Sequence, residues 1–365
     1  MAGPIDAKYN DSSNEITTYT DNNSALAKYP VKWDDVDPVF GNTFEAAHAD
    51  TANRHRCRYH NTDKKFYTYP ARTVFKFNST PEVQWVYDTK DTAYDIKIDG
   101  SGNVHICSGN DSGKTVWKLN SAGVLQWDYD TGGAYARRLA LDSSGNVYIA
   151  GYTSGTASIW KLNSAGVLQW DYATGTYALG IGIDSSGNVY AGGRRTGNKT
   201  VWKLNSAGIL QWDYDTGNLV DDIEVDSSGN SYIAGTRSGD KSIWKLNNAG
   251  VLQWDYDTGG GTSQIALDNS GNVYIAGGAG SAYAFYKLDS SGNLIWANSD
   301  YSPNDFAFDS ANNIYIAQAW STLKAIVKLN SSGDEIWGYD NLVTNFGIDV
   351  DDSNNVYTAG FETPL

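Results

Sequence analysis

The residues best suited to chemistry are few in this chain, and most of them sit close together. His48, His55, Cys57 and His60 are interleaved with Arg54, Arg56 and Arg58. Imidazole and thiolate are zinc ligands, and His55 and Cys57, two positions apart, would share one face of a strand. Their spacing matches no common zinc motif, so no metal is expected. His55, Cys57 and His60 stand only as weak candidates, beside the plainer reading of a basic segment against an acidic surface. Cys57 and Cys107 do not amount to a disulfide framework. No nucleophile elbow, P-loop, HExxH or glycine-rich dinucleotide fingerprint occurs. The sequence therefore predicts no cofactor and a structural or binding module rather than an enzyme.

Carboxylates recur instead. Asp99, Asp142, Asp184, Asp226, Asp268, Asp309 and Asp351 each open the same short turn. Calcium wants roughly six to eight converging oxygens. This turn offers one acid followed by small residues, so each Asp reads as the head of an Asx-type turn. Tryptophans recur as well, at 85, 127, 170, 212, 254, 296 and 337, with others at 117, 160, 202 and 244. Such a ladder could be a set of sugar platforms, but its fixed place in a period predicts core packing.

That period is the organising fact. The Asn before each V-Y-like pair falls at 103, 146, 188, 230, 272, 313 and 355, in steps of 41 to 43. Each unit of about 42 residues divides into four β-rich segments separated by Gly and Asn turns. In one unit these are 138–142, 147–151, 158–163 and 167–172. Adjacent apolar residues in them, such as Ile159 and Trp160, predict sheets covered on both faces. Four-stranded antiparallel units in tandem predict an all-β fold, a β-propeller. The array opens in mid-unit with a pair at Val74–Asp88 and closes in mid-unit with a pair at Gly347–Gly360. Six units lie between, so the expectation is seven blades at 71–365, the last closed by strands from both chain ends. An eight-bladed alternative rests on Tyr29–Asp34 and Ala47–Asp50, which faintly echo the repeat.

The segment DSSGNVYIAG resembles the bacterial β-propeller repeat of the SBBP type, and KLNSAGVLQWDYDTG is similar to the tryptophan-docking repeat of quinoprotein-like propellers. The resemblance spans about 72–360. It implies the propeller architecture and leaves function open. The quinone that the second resemblance would imply is not expected, because the adjacent cysteine pair that accompanies it is missing.

Composition narrows the partners. A net charge of −15 argues against nucleic acid, which needs a surplus of Lys and Arg. Apolar runs are too short to span a membrane, and the first residues lack the basic and apolar regions of a Sec signal peptide. Within the repeat, the turns joining the first segment to the second and the third to the fourth are nearly constant, whereas the connections from the second to the third and from the fourth to the next unit vary. In an antiparallel blade these two sets emerge on opposite rims. One face of the disc is thus diverse, and loops on a rigid scaffold are where recognition resides. It is expected to carry Tyr135, Arg137, Arg138, Tyr152, Tyr177, Arg194, Arg195, Asp221, Asp222, Arg237, Tyr283 and Trp320. Residues 1–70 do not repeat and read as an irregular arm suited to attaching the disc to a protein partner. Together these features predict a virion component, a phage surface, tail or receptor-binding protein, presenting its variable face to a host glycan or protein. An extracellular lectin-like propeller and an intracellular interaction scaffold are the alternatives.

Overall fold

The computed structural model describes residues 74–360 in full, apart from residues 79–83 and short stretches of the variable loops; outside that range it describes strand backbone only. The chain divides into two compact units, Met1–Ala71 and Arg72–Leu365. The first, read from sequence as irregular, carries paired strands. Asp6–Asn10, Glu15–Tyr19 and Ala25–Pro30 form a three-stranded sheet. Trp33–Asp34, Thr43–Ala47, His55–His60 and Lys65–Pro70 form a four-stranded one. The side chains of His55, Cys57 and His60 lie outside the described residues.

The second unit is a ring of seven four-stranded antiparallel blades. The inner strands are Ala93–Ile98, Tyr135–Leu141, Ala178–Ile183, Val220–Val225, Thr262–Leu267, Pro303–Phe308 and Val343–Val350. They number blades 1 to 7. Each packs against the next, and the seventh against the first. Blade 7 takes its two inner strands, Val343–Val350 and Val356–Glu362, from the end of the chain. Its two outer strands, Arg72–Phe77 and Val83–Asp88, come from the beginning of the unit. Seven blades close the ring, and the eight-bladed alternative falls.

Local chemistry explains why every unit folds alike. In blade 2, Asp142 Oδ1 accepts from the N–H groups of Ser144 and Asn146, while its Oδ2 accepts from Asn146 Nδ2 and Tyr148 Oη. The carboxylate is consumed by the turn, as the Asx reading expected. The core lies in the wedges between blades. Cys107 and Val116 of blade 1, for example, pack with Leu139, Ile149 and Trp160 of blade 2. Trp117, Trp160, Trp202 and Trp244 are at most 5% exposed, so this rung of the ladder is core. The outer-strand tryptophans latch blade to blade. Trp170 Nε1 and Lys161 Nζ both donate to Ser206 O of the following blade, at 3.1 and 3.4 Å.

The inner strands hold one feature that the repeat conceals. Each carries a β-bulge after its first paired residues, between Ala136 and Arg138 in blade 2 and at the matching place in the other six. A bulge adds an unpaired residue and re-aims the side chains beyond it. It extends the inner strand of blade 2 back to Tyr135 from the expected start at 138.

Candidate functional site

Residues after the bulge line a central cavity of about 350 Å³. Blade 1 contributes Asp95 and Lys97, blade 2 Arg138, blade 4 Asp222 and Glu224, blade 5 Gln264 and blade 6 Asp305. Blade 3 lines it with Gly182 between Ile181 and Ile183, which leaves that wall apolar.

Most of these carboxylates also staple the ring. An inner strand has no partner on its channel side, so its N–H groups need acceptors. Leu139 N–H of blade 2 donates to Asp95 Oδ2 at 2.8 Å, and Ile265 N–H of blade 5 donates to Asp222 Oδ2 at 3.1 Å. Ile348 N–H of blade 7 donates to Asp305 Oδ2 at 2.9 Å, and Ile98 N–H of blade 1 donates to Asp349 Oδ2 at 2.7 Å. Gln264 Nε2 donates to Asp305 Oδ1 at 2.9 Å.

The electrostatics reflect enclosure. Burial, reinforced by Asp222, pushes the Glu224 carboxyl up to about 7 against the pull of Lys97. Burial pushes Asp305 up to about 7 as well, with Lys97 opposing and Asp95 adding to the shift. Asp221, beside Asp222, rises to about 6 for the same first reason. Lys97 is enclosed by channel walls, which disfavours its charge, yet Asp95, Asp349, Asp305 and Glu224 together hold its ammonium above the ordinary lysine value. Its side chain keeps 37% exposure, all the same, because it reaches into the channel 3.9 Å from Asp95. Arg138 stands 4.0 Å from Asp222.

A second group occupies the rim. The rings of Tyr135 and Tyr152 stack at 4.8 Å, and Tyr152 meets Tyr177 at 4.5 Å. The Arg194 guanidinium lies 5.9 Å from the Tyr177 ring centre, and that of Arg137 lies 4.4 Å from the Tyr94 ring centre. Tyr94 in turn meets Phe346 at 6.2 Å. An aromatic and cationic run thus crosses blades 7, 1, 2 and 3.

Of the residues expected on the variable face, Tyr135, Arg137, Tyr152, Tyr177 and Arg194 come together in this run. Arg138 and Asp222 instead face the channel, because the bulge turns them inward, and Asp221 sits beside Asp222. Arg195 and Arg237 lie in strands whose backbone is described, but their side chains, with Tyr283 and Trp320 entirely, lie outside the described residues. Sequence reading missed Asp95, Lys97, Glu224, Gln264 and Asp305. Aligning the inner strands AYDIKI, ARRLAL, ALGIGI, VDDIEV, TSQIAL and PNDFAF would have exposed them as charged or polar departures at two fixed positions. Among the described residues no cluster of metal-ligating side chains occurs, and Cys107 is a buried free thiol.

The family described as the SBBP β-propeller repeat matches residues 130–156, and that motif now sits in a closed ring of seven blades. The chain is a β-propeller repeat protein. No curated protein matches it. Among solved structures, this propeller is similar to a streptogramin B lyase, with 16% identity and a TM-score of 0.62, covering 79% of this chain and 97% of that one. A virginiamycin B lyase from Staphylococcus aureus is similar at 15% identity and a TM-score of 0.61, covering 79% and 99%. BamB from Moraxella catarrhalis is similar at 17% identity and a TM-score of 0.51, covering 88% and 94%. At such identities the likeness is one of fold. It nonetheless corrects the expectation of a non-enzyme. Lyases share this propeller fold, so missing hydrolase, nucleotide and zinc motifs do not exclude catalysis on it. Among the described residues no helix is long and apolar enough to cross a membrane.

Proposed function

We propose that this propeller is a recognition protein of a virion or extracellular surface, which contacts a host ligand through its variable face and is attached to its own assembly through residues 1–71. The observation that carries this reading is the rim run of Tyr94, Arg137, Tyr135, Tyr152, Tyr177 and Arg194. Tyr and Arg supply much of the contact energy at interfaces, since they bury large area with few rotamers to lose. Tyr177 and Arg194 are exposed at one end of the run. The opposite face carries the same turn in blade after blade, closed by its own Asp or Asn. A surface built by repetition alone would give both faces the same monotony.

The test has two arms. Binding of the purified chain to host cells and to a glycan array is measured for the native protein and for Tyr177→Ala and Arg194→Ala. At least a tenfold loss in both variants, with unchanged melting temperature, supports rim recognition, and unchanged binding refutes it. In the second arm, residues 72–365 are compared with the full chain for incorporation into purified particles. Only the full chain is expected to join them. Equal incorporation would remove the attachment role.

A further inference from the structure

The central cavity holds more acceptor capacity than the protein uses. Four carboxylates face it, from Asp95, Asp222, Glu224 and Asp305, against the two cations Lys97 and Arg138. Three of the four spend an oxygen on the N–H of a neighbouring blade. Glu224 staples nothing of that kind, and its backbone partner is the N–H of the adjacent Val225. One blade further on, Gln264 is 3% exposed and gives its Nε2 to Asp305. That bond fixes the amide orientation and leaves Oε1 as a buried acceptor with no partner. A buried acceptor left unsatisfied is costly and calls for a donor.

We propose that the central cavity binds a small organic cation, an alkylammonium or guanidinium ion, with its N–H groups donating to the Glu224 carboxylate and to Gln264 Oε1. The volume, about 350 Å³, is that of a small-molecule site. The apolar wall of Ile181, Ile183 and Ile265 suits a short alkyl portion. Calcium fits poorly, because the stapling N–H groups already occupy oxygens that it would need. An anion would meet a surplus of carboxylates. Burial, with Asp222 beside it, raises the Glu224 pKa, and a carboxylate enclosed in this way gains from a cationic partner.

Calorimetric titration of the full chain with butylammonium and methylguanidinium chloride tests the assignment, with calcium chloride and sodium acetate as comparators. One saturable site for at least one of the organic cations is expected, weakened tenfold or more in Glu224→Gln. The native chain gives a second measure that needs no variant. The cation competes with the proton on Glu224, so its affinity should rise between pH 6 and pH 8. The proposal is overturned if neither cation saturates, if Glu224→Gln binds as well as the native chain, if affinity falls over that pH range, or if calcium or acetate binds more tightly. Tyr177→Ala should leave this titration unchanged; if it lost binding, the ligand would be sitting on the rim and the cavity assignment would fail.

Discussion

Gly166 lies in the outer turn of blade 2 at φ +79°, and a Cβ built there would come within 2.7 Å of the Trp127 ring of blade 1. Gly132 has a similar φ of +82°, but a Cβ there would meet nothing within 4 Å. The pair separates two causes that usually travel together. Alanine at Gly132 meets only the left-handed backbone penalty, ~1–2 kcal/mol. Alanine at Gly166 meets that penalty and also pushes the indole off its seat, adding ~1–3 kcal/mol of overpacking. Urea unfolding should therefore place Gly166→Ala clearly below Gly132→Ala, and equal midpoints would mean that the tryptophan latch contributes nothing. The same latch recurs where Gly208 meets Trp170 and Gly250 meets Trp212, each at 2.9 Å. This is why a glycine and a tryptophan keep a fixed spacing through the repeat.

Inner strands face a different problem, since each has an unpaired edge toward the channel. Asp349 answers it at the seam of the ring, where its Oδ2 accepts from Ile98 N–H across a sequence separation of 251 residues. Asp349→Ala should cost ~1–3 kcal/mol, the range for a buried donor left unsatisfied. Amide exchange at Ile98 should quicken, while exchange at Leu139, capped by Asp95, stays slow. Equal rates at both amides would show that the staple does not protect the edge. These staples also mark the limit of what could be read from sequence. Blade number, closure by both chain ends, and the Asp-headed turns were legible because each rests on a local residue pattern repeated seven times. The bulge was not legible, because it recurs in every unit and leaves no break in period. Arg138 and Asp222 were consequently placed on the loop face instead of in the channel. The strand pairing of residues 6–70 was hidden for the opposite reason, since nothing there repeats.

At the scale of the whole ring, closure and charge govern stability. Removing Gly347–Leu365 deletes most of the inner half of blade 7, so the disc should lose its single cooperative transition in calorimetry rather than a local segment. The pH dependence originates in the channel. Glu224 and Asp305 titrate near 7 in the folded protein and Asp221 near 6, whereas unfolded carboxylates titrate near ~4. Between those values the folded state binds more protons than the unfolded chain, so stability falls as pH rises. The contribution is complete below about pH 4 and is lost as pH passes through 7. His105 acts in the other direction: burial lowers it to about 4, so its neutral form favours the fold above ~6.5 and costs stability below. Among the described groups His105 alone opposes these three carboxyls, with Asp222 and Asp349 also raised by burial, and between pH 6 and 8 the carboxyls dominate. Below pH 4 the turn carboxylates Asp99, Asp142, Asp309 and Asp351, held low by their hydrogen bonds, take over and stability drops again. The melting temperature should therefore peak on the acid side of neutrality and fall by ~4 °C or more from pH 6 to pH 8, at about 2 °C per kcal/mol for a domain of this size. Glu224→Gln and Asp305→Asn combined should flatten that fall, because the uncharged groups no longer release protons. A melting temperature that rises over the same interval, or a slope untouched by the double variant, would place the controlling charges outside the channel.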